Sequence, residues 1–353
     1  MVFEHIMPLT FISRISFSSR TIIYLRPHPW LGRLTIPPEI ILKIITYLDR
    51  PSHLSFALTC RTFLLHYLPQ PLQLSSTEKQ EFLALLEKDA PHYYFCHFCL
   101  KLHRWRISWF WHFNSEISHF YLKHRDTCRE KYQIEHYGMP ILLYPLARVI
   151  MNRHFHGAAH GPLPTVLSTS INDYGFWDGY WNGRHHTVWK ARIVGDELMI
   201  SSAITIYPHE NQENPKNTAD CAPHPLCPHL TTSAHSSPQK QLPELAARSS
   251  ADCFVPCHES VKSCPECLTD YCITITRQKK RWAVKVIAYN QLGAVRSPFD
   301  WEWSGMVPSR YRLGERRQSR YLLGHRPGMV RHLWSRADEI LLEPTGEWAY
   351  LPR

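Results

Sequence analysis

The sequence predicts an α+β protein: N-terminal helices, then a small antiparallel β-sheet domain with structural zinc sites. Three observations predict it. Apolar residues recur at helical spacing over 36–68, they switch to strict alternation from His185, and several cysteines form C-x-x-C pairs beside histidines.

The first patterned segment runs Ile36-Pro-Pro-Glu-Ile-Ile-Leu-Lys-Ile-Ile-Thr-Tyr-Leu48. Pro37 and Pro38 suit a helix entry, where the missing amide hydrogens have no partner anyway, and Glu39 complements the positive end of the helix dipole. Ile40, Ile44 and Tyr47 share one face, and Ile41, Ile45 and Leu48 share the next. So wide an apolar surface on so short a helix must be covered on two sides. Asp49-Arg-Pro-Ser52 breaks the helix, and a second stretch from about Ser52 to Leu68 carries Leu54, Ala57, Leu58, Cys60, Phe63, Leu64 and Tyr67. Ser75 followed by Glu78 has capping-box spacing and predicts a further helix that Ala90-Pro91 stops.

From His185 the period becomes two. His185–Val194 and Glu197–Ile206 read as strands joined by a tight turn at Gly195-Asp196. Asp270–Arg277 and Arg281–Tyr289 read as a second hairpin across Gln278-Lys279-Lys280. The expectation is four antiparallel strands, with 208–252 a Pro/Ser/Asn-rich disordered insert. Residues 304–353 read as a basic, irregular tail with a short helix near Gly328–Ser335.

Apolar residues make up 44% of the chain, enough to exclude a wholly disordered protein, and no apolar run reaches the length of a membrane span. Met1–Arg33, with four arginines and one acidic residue, reads as a flexible extension outside the fold. Eleven cysteines, an odd number clustered beside histidines, point to zinc in a reducing compartment, cytoplasmic or nuclear, and away from disulfides.

Ile36-Pro37-x-Glu39-Ile40, then Ile44, Tyr47-Leu48, Leu54, Leu58 and Cys60-Arg61 resemble an F-box, with Ile36 where Leu is usual. The resemblance implies three short helices over 34–68 that pack on one another and on the Skp-type linker protein of a cullin–RING (SCF-type) ubiquitin ligase. It also implies that Ile36, Pro37, Glu39, Ile40, Ile44, Leu48, Leu54 and Leu58 contribute to the linker-binding surface. More loosely, Leu85–Asp89, Phe95–His103 and Cys264–Cys272 are similar to a group of filamentous-fungal F-box proteins with a cysteine-rich C-terminal region. That group supplies no substrate.

Two metal centres are expected. The first is Cys96, Cys99, His103 and Cys128, with His97, His119 and His124 as rival fourth ligands. Thiolates two residues apart can hold one tetrahedral Zn²⁺ from a tight turn, and distant ligands close the site. The second is Cys227, His229, Cys264 and Cys267, with Cys253 and Cys257 as a competing pair. A closed Cys₃His set is structural, because catalytic zinc keeps a position open for water. Cys272, inside a strand pattern, reads as core.

The domain expectation is thus 1–33 extension, 34–68 F-box, 69–137 helix with the first Cys/His cluster, 138–303 β domain with the second, and 304–353 tail. The sequence holds no H-E-x-x-H, G-x-S-x-G, Walker or G-x-G-x-x-G motif, so the functional expectation is a non-enzymatic adapter whose C-terminal region binds an unknown substrate protein. The alternative is a zinc-stabilised nucleic-acid binder, because Arg277–Arg336 holds fourteen Lys/Arg against three acidic residues.

Overall fold

A computed structural model describes residues 37–59, 63–64, 73–105, 133–134, 142–177, 180–207, 224–234, 239–249, 253–278, 281–307 and 325–342. Ile36, Cys60, Arg61 and Cys128 lie outside them, as does most of the third helix expected for the F-box. The chain divides into two compact units, Met1–His103 and Arg104–Arg353. The architecture is α+β, helices first and antiparallel sheet after.

In the first unit α1 spans Pro38–Tyr47, opened by Pro38 and carrying Glu39 in its first turn. α2 spans Arg50–Leu58. It begins two residues earlier than the sequence reading, because Pro51 fits the first helical turn and Asp49 caps it, its Oδ1 accepting from the Ser52 amide at 2.9 Å. α3 spans Ser76–Asp89 behind a complete capping box: the Ser75 amide donates to Glu78 Oε2 at 2.7 Å and the Glu78 amide to Ser75 Oγ at 3.3 Å. Removing the hydroxyl in Ser75→Ala is expected to cost about 1 kcal/mol, read as a lower thermal midpoint with unchanged metal content.

Arg50 ties α2 to this cap through Glu78 at 3.1 Å and through the Gln73 carbonyl. α3 in turn packs against the strand β1 (Tyr93–Cys96), which pairs with β2 (Lys101–Arg104). The helix and the first cysteine pair therefore fall in one unit with α1 and α2, whereas the sequence reading carried that segment on to residue 137.

The second unit is built on a six-stranded antiparallel sheet, not the four strands expected. Its strands are β5 (Thr169–Trp177), β6 (Tyr180–Val194), β7 (Glu197–Tyr207), β11 (Cys257–Ser263), β12 (Thr269–Gln278) and β13 (Arg281–Gln291), in the order β11-β12-β13-β7-β6-β5. The β6–β7 turn falls at Gly195-Asp196, with Gly195 at φ +60°, the left-handed conformation that a two-residue hairpin demands. Both additional strands are sheet edges, where one neighbour suffices and the period-two signal is weak. A minor pair, β3 (Gln133–Ile134) with β4 (Leu142–Leu143), precedes helix α4 (Tyr144–His156).

β7 and β12 are buried along most of their length, so both faces of the sheet centre are covered. Part of that cover comes from the end of the segment read as β domain and from the segment read as a basic tail. Helix α6 (Trp301–Met306) buries Trp303 and Met306, and α7 (Met329–Leu342) sets Val330 and Trp334 against Met199 and Leu268. The Arg192 guanidinium stacks 3.9 Å from the centre of the Trp334 ring and donates to the Trp334 carbonyl at 2.9 Å.

The expected disordered insert also has structure where it is described. β8 (Pro225–Cys227) and β9 (Leu230–Thr231) are antiparallel, β10 (Lys240–Gln241) joins β9 in parallel, and α5 (Pro243–Arg248) follows. These elements are too short to leave a periodic signature in the sequence.

Candidate functional site

Both cysteine–histidine centres form from tight turns. In the first, β1 ends at Cys96, and the turn to β2 brings Cys99 and His103 back so that their ligand atoms and that of Cys96 lie within 4.8 Å of one another. The turn closes with the Leu100 amide donating to the Cys96 carbonyl at 3.0 Å, Leu100 taking φ +50°. Cys99 Sγ and His103 Nε2 are 2.8 Å apart. Burial pushes the Cys96 thiol up, but hydrogen bonding to His103 and to the Cys99 and Phe98 amides outweighs it and holds the pKa at about 7. The buried Glu87 carboxylate accepts from the Phe95 amide at 2.9 Å and fixes the strand that presents Cys96. His97, a rival ligand, packs its ring tilted against Phe95, centroids 4.4 Å apart, and stands outside the group. Cys128, His119 and His124 lie outside the described residues.

The second centre joins two turns far apart in sequence. Cys227 ends β8 and His229 sits in the β8–β9 turn, while Cys264 and Cys267 flank the bend between β11 and β12. The four ligand atoms lie within 4.8 Å of one another. Tetrahedral zinc with Zn–S bonds near 2.3 Å sets its sulfurs about 3.8 Å apart, so this Cys₃His group fits such an ion with only a small contraction.

Cys227, Cys264 and Cys267 are 0%, 1% and 3% exposed, which leaves no approach for solvent through the thiols. Without a metal their protons are shared unequally. Hydrogen bonds from Cys227 and Cys267, with His229 adding to them, hold Cys264 far below the usual thiol range. Burial pushes Cys227 and Cys267 well above it. Three cysteines and a histidine packed this tightly form a donor set in which a dication can replace protons. Cys253 and Cys257, the competing pair, lie outside the group; Cys257 directs its sulfur to the Ile273 carbonyl at 3.5 Å. Cys272 is buried within β12.

α1 presents the other feature. Its two apolar faces part company: Ile41 is buried and Ile45 and Leu48 half-buried, whereas Ile40, Ile44 and Tyr47 are 51%, 41% and 78% exposed, with Leu42 beside them. Pro37 and Glu39 are exposed at the same end, and Leu54 and Leu58 are half-buried in α2.

A further cluster escaped the sequence reading. Asp270 in β12 is fully buried and accepts hydrogen bonds from Ser263 Oγ and from the Arg331 amide, the latter at 3.0 Å, with His325 Nε2 3.3 Å away. It caps the first turn of α7 from the sheet. No local spacing signals such a contact.

Helices α1 and α2, the outward apolar face of α1 and two thiol-rich turns describe an α+β chain with metal-binding potential. Comparison with known proteins gives that helical region its family: residues 34–64 match the F-box domain, and the chain therefore carries an F-box. F-box proteins act in general as adapters of SCF-type ubiquitin ligases. No curated protein and no solved structure matches the chain. Among the described residues no helix is long and apolar enough to cross a membrane.

Proposed function

We propose that the chain is a substrate-recognition adapter of an SCF-type (cullin–RING) ubiquitin ligase, cytoplasmic or nuclear, whose F-box binds the Skp-type linker and whose second unit binds a target protein. The observation that carries it is the outward row Ile40, Ile44 and Tyr47 on α1, within the residues that match the F-box. Covering apolar surface gains about 25 cal/mol per Å² gross, so a partner that seats these side chains is favoured before association costs are subtracted. In this reading the exposed Pro37 and Glu39 and the half-buried Leu48, Leu54 and Leu58 contribute to the same surface, with Ile36 next to it in the sequence.

Ile40→Asp places a charge at the centre of that surface without touching the inward face of Ile41. Captured from purified components, the full chain with this substitution is expected to bind the Skp-type linker at least tenfold more weakly than the unaltered chain, the desolvation of one carboxylate accounting for about 1.4 kcal/mol or more. Equal capture of both sinks the proposal.

Both Cys/His centres belong to this reading as structural zinc sites, the first with Cys128 as its fourth ligand. In it they hold the turns that shape each unit and carry out no bond chemistry. The nucleic-acid alternative gains nothing from the described part of the basic region. There Arg331 pairs with Glu259 at 2.6 Å, Arg296 stacks on Phe155 and Arg277 lies beside Trp282.

A further inference from the structure

We propose that Glu266 is a positioning residue for the second centre, clasping ligands from both of its turns and fixing His229 as a ligand through Nδ1. The inference rests on the zinc reading of that centre. Glu266 lies between Cys264 and Cys267 in the β11–β12 bend. Its amide donates to Cys264 Sγ at 3.4 Å, so its backbone orients a thiolate of its own turn. Its side chain reaches across the centre: Oε2 lies 3.7 Å from Nε2 of His229, which comes from the β8–β9 turn.

The two ring nitrogens of His229 are thereby assigned. Nδ1 faces the thiols, 3.6 Å from Cys264 Sγ, and Nε2 faces the carboxylate. An imidazole that ligates through one nitrogen must carry its proton on the other, and a carboxylate at that second position selects the tautomer and holds the ring plane. Three thiolates around a dication leave the centre with a net negative charge, so a bare carboxylate nearby would weaken it. The N–H of His229, with Nε2 3.7 Å from Glu266 Oε2, turns a positive edge toward that carboxylate and makes its presence compatible with the site.

The backbone supports the same geometry. The Lys240 amide donates to the His229 carbonyl at 3.0 Å and Gln239 Nε2 to the Cys227 carbonyl at 3.1 Å, so β10 holds the β8–β9 turn from behind. The side chain of His229 is 11% exposed and that of Glu266 55% exposed. The clasp therefore sits at the solvent edge, on the one ligand that water can approach, and solvent competition keeps its effect at the modest end of the range for outer partners.

The test uses the full chain loaded with Zn²⁺, with Glu266→Ala and Glu266→Gln beside the unaltered protein. Apparent Zn²⁺ affinity is read by competition with a chromophoric chelator, and Co²⁺ substitution reports the ligand set through its thiolate charge-transfer and ligand-field bands. Glu266→Ala is expected to weaken Zn²⁺ binding by about tenfold and speed its release to chelator, while the Co²⁺ bands keep their tetrahedral Cys₃His form. Glu266→Gln, which retains an acceptor oxygen, is expected to recover part of the loss. The holo midpoint is expected to fall only by the few degrees that a tenfold affinity loss implies, and a circular-dichroism spectrum of the loaded variant that superimposes on that of the unaltered chain shows that the loss is not one of folding. Affinity of Glu266→Ala within threefold of the unaltered chain overturns the clasp alone. An unaltered chain that takes up no Zn²⁺ at Cys227, His229, Cys264 and Cys267 removes the zinc reading and the clasp with it.

Discussion

On the structural-zinc reading, replacing Cys264 by Ser is expected to empty the second centre, release 224–234 and 239–249 from the sheet, and destabilise the second unit by about 4 kcal/mol, in the class of losses that follow removal of a structural metal. Cys264 is the hub of the centre. Its sulfur faces Cys227, Cys267 and His229, and it alone of the three thiols is held far below the ordinary range, by hydrogen bonds from Cys227 and Cys267 above all. A serine hydroxyl ligates zinc poorly and cannot take the charge. Cys227 and Cys267, whose thiols burial already pushes upward, are then left without the thiolate that organises them. The strands β8 to β10 are only two or three residues each, too short to hold their place by pairing alone. Elemental analysis of the full chain should fall from two Zn²⁺ to one, and limited proteolysis should open new cuts within 224–249. Cys253→Ser, at an exposed cysteine outside both groups, should leave metal content and melting unchanged.

How far the sequence announced this architecture depended on whether each element carried its own local signal. The β6–β7 and β12–β13 hairpins were legible because alternation and a tight turn coincide there. The capping box of α3 was legible because Ser75 and Glu78 satisfy each other within one turn. The two apolar faces of α1 were legible too, and the structure adds which one the chain itself covers. The quartet Cys227, His229, Cys264 and Cys267 was favoured from its cysteine pair and its histidine, and the fold brings those four ligand atoms together across the β8–β9 and β11–β12 turns.

What was missed depends on tertiary partners. β11 reads Cys-His-Glu-Ser-Val-Lys-Ser and is a strand only because β12 lies beside it. α4 lies in an apolar run that Pro145 and Arg148 interrupt in the sequence. Pro145 in fact stands in the first helical turn, and Arg148 is buried, donating to the carbonyls of Val295 and Arg296 at 3.0 and 2.9 Å. An arginine inside an apolar run signals a break only when no carbonyls wait for it. α7 was glimpsed as a short helix in a tail, because Val330 and Trp334 one turn apart do not reveal that Met199 and Leu268 receive them.

Asp270 joins that tail to the sheet, and its removal is the other large effect expected. Asp270→Ala should cost about 3 kcal/mol, because it strips the acceptor from Ser263 Oγ and the Arg331 amide and leaves the buried His325 without its carboxylate. The pH dependence identifies the charge as the cause. Burial raises the carboxyl pKa, but hydrogen bonds from His325 and Ser263 and from the Arg331 and Gly328 amides outweigh it and bring it below the ordinary value. A carboxyl whose pKa is lower in the folded state contributes its full stabilisation above the unfolded value, about 3.9, and loses it as pH falls through the folded one. The stability difference between the unaltered chain and Asp270→Asn should therefore shrink as pH falls below about 4 toward the lowered folded pKa, beneath which both side chains are neutral. Taking the difference removes acid effects common to both chains, including metal loss. Urea unfolding followed by tryptophan emission measures it, since Trp334 on α7 packs beside Met199. A difference that persists undiminished at pH 3 would show that Asp270 holds α7 by shape alone.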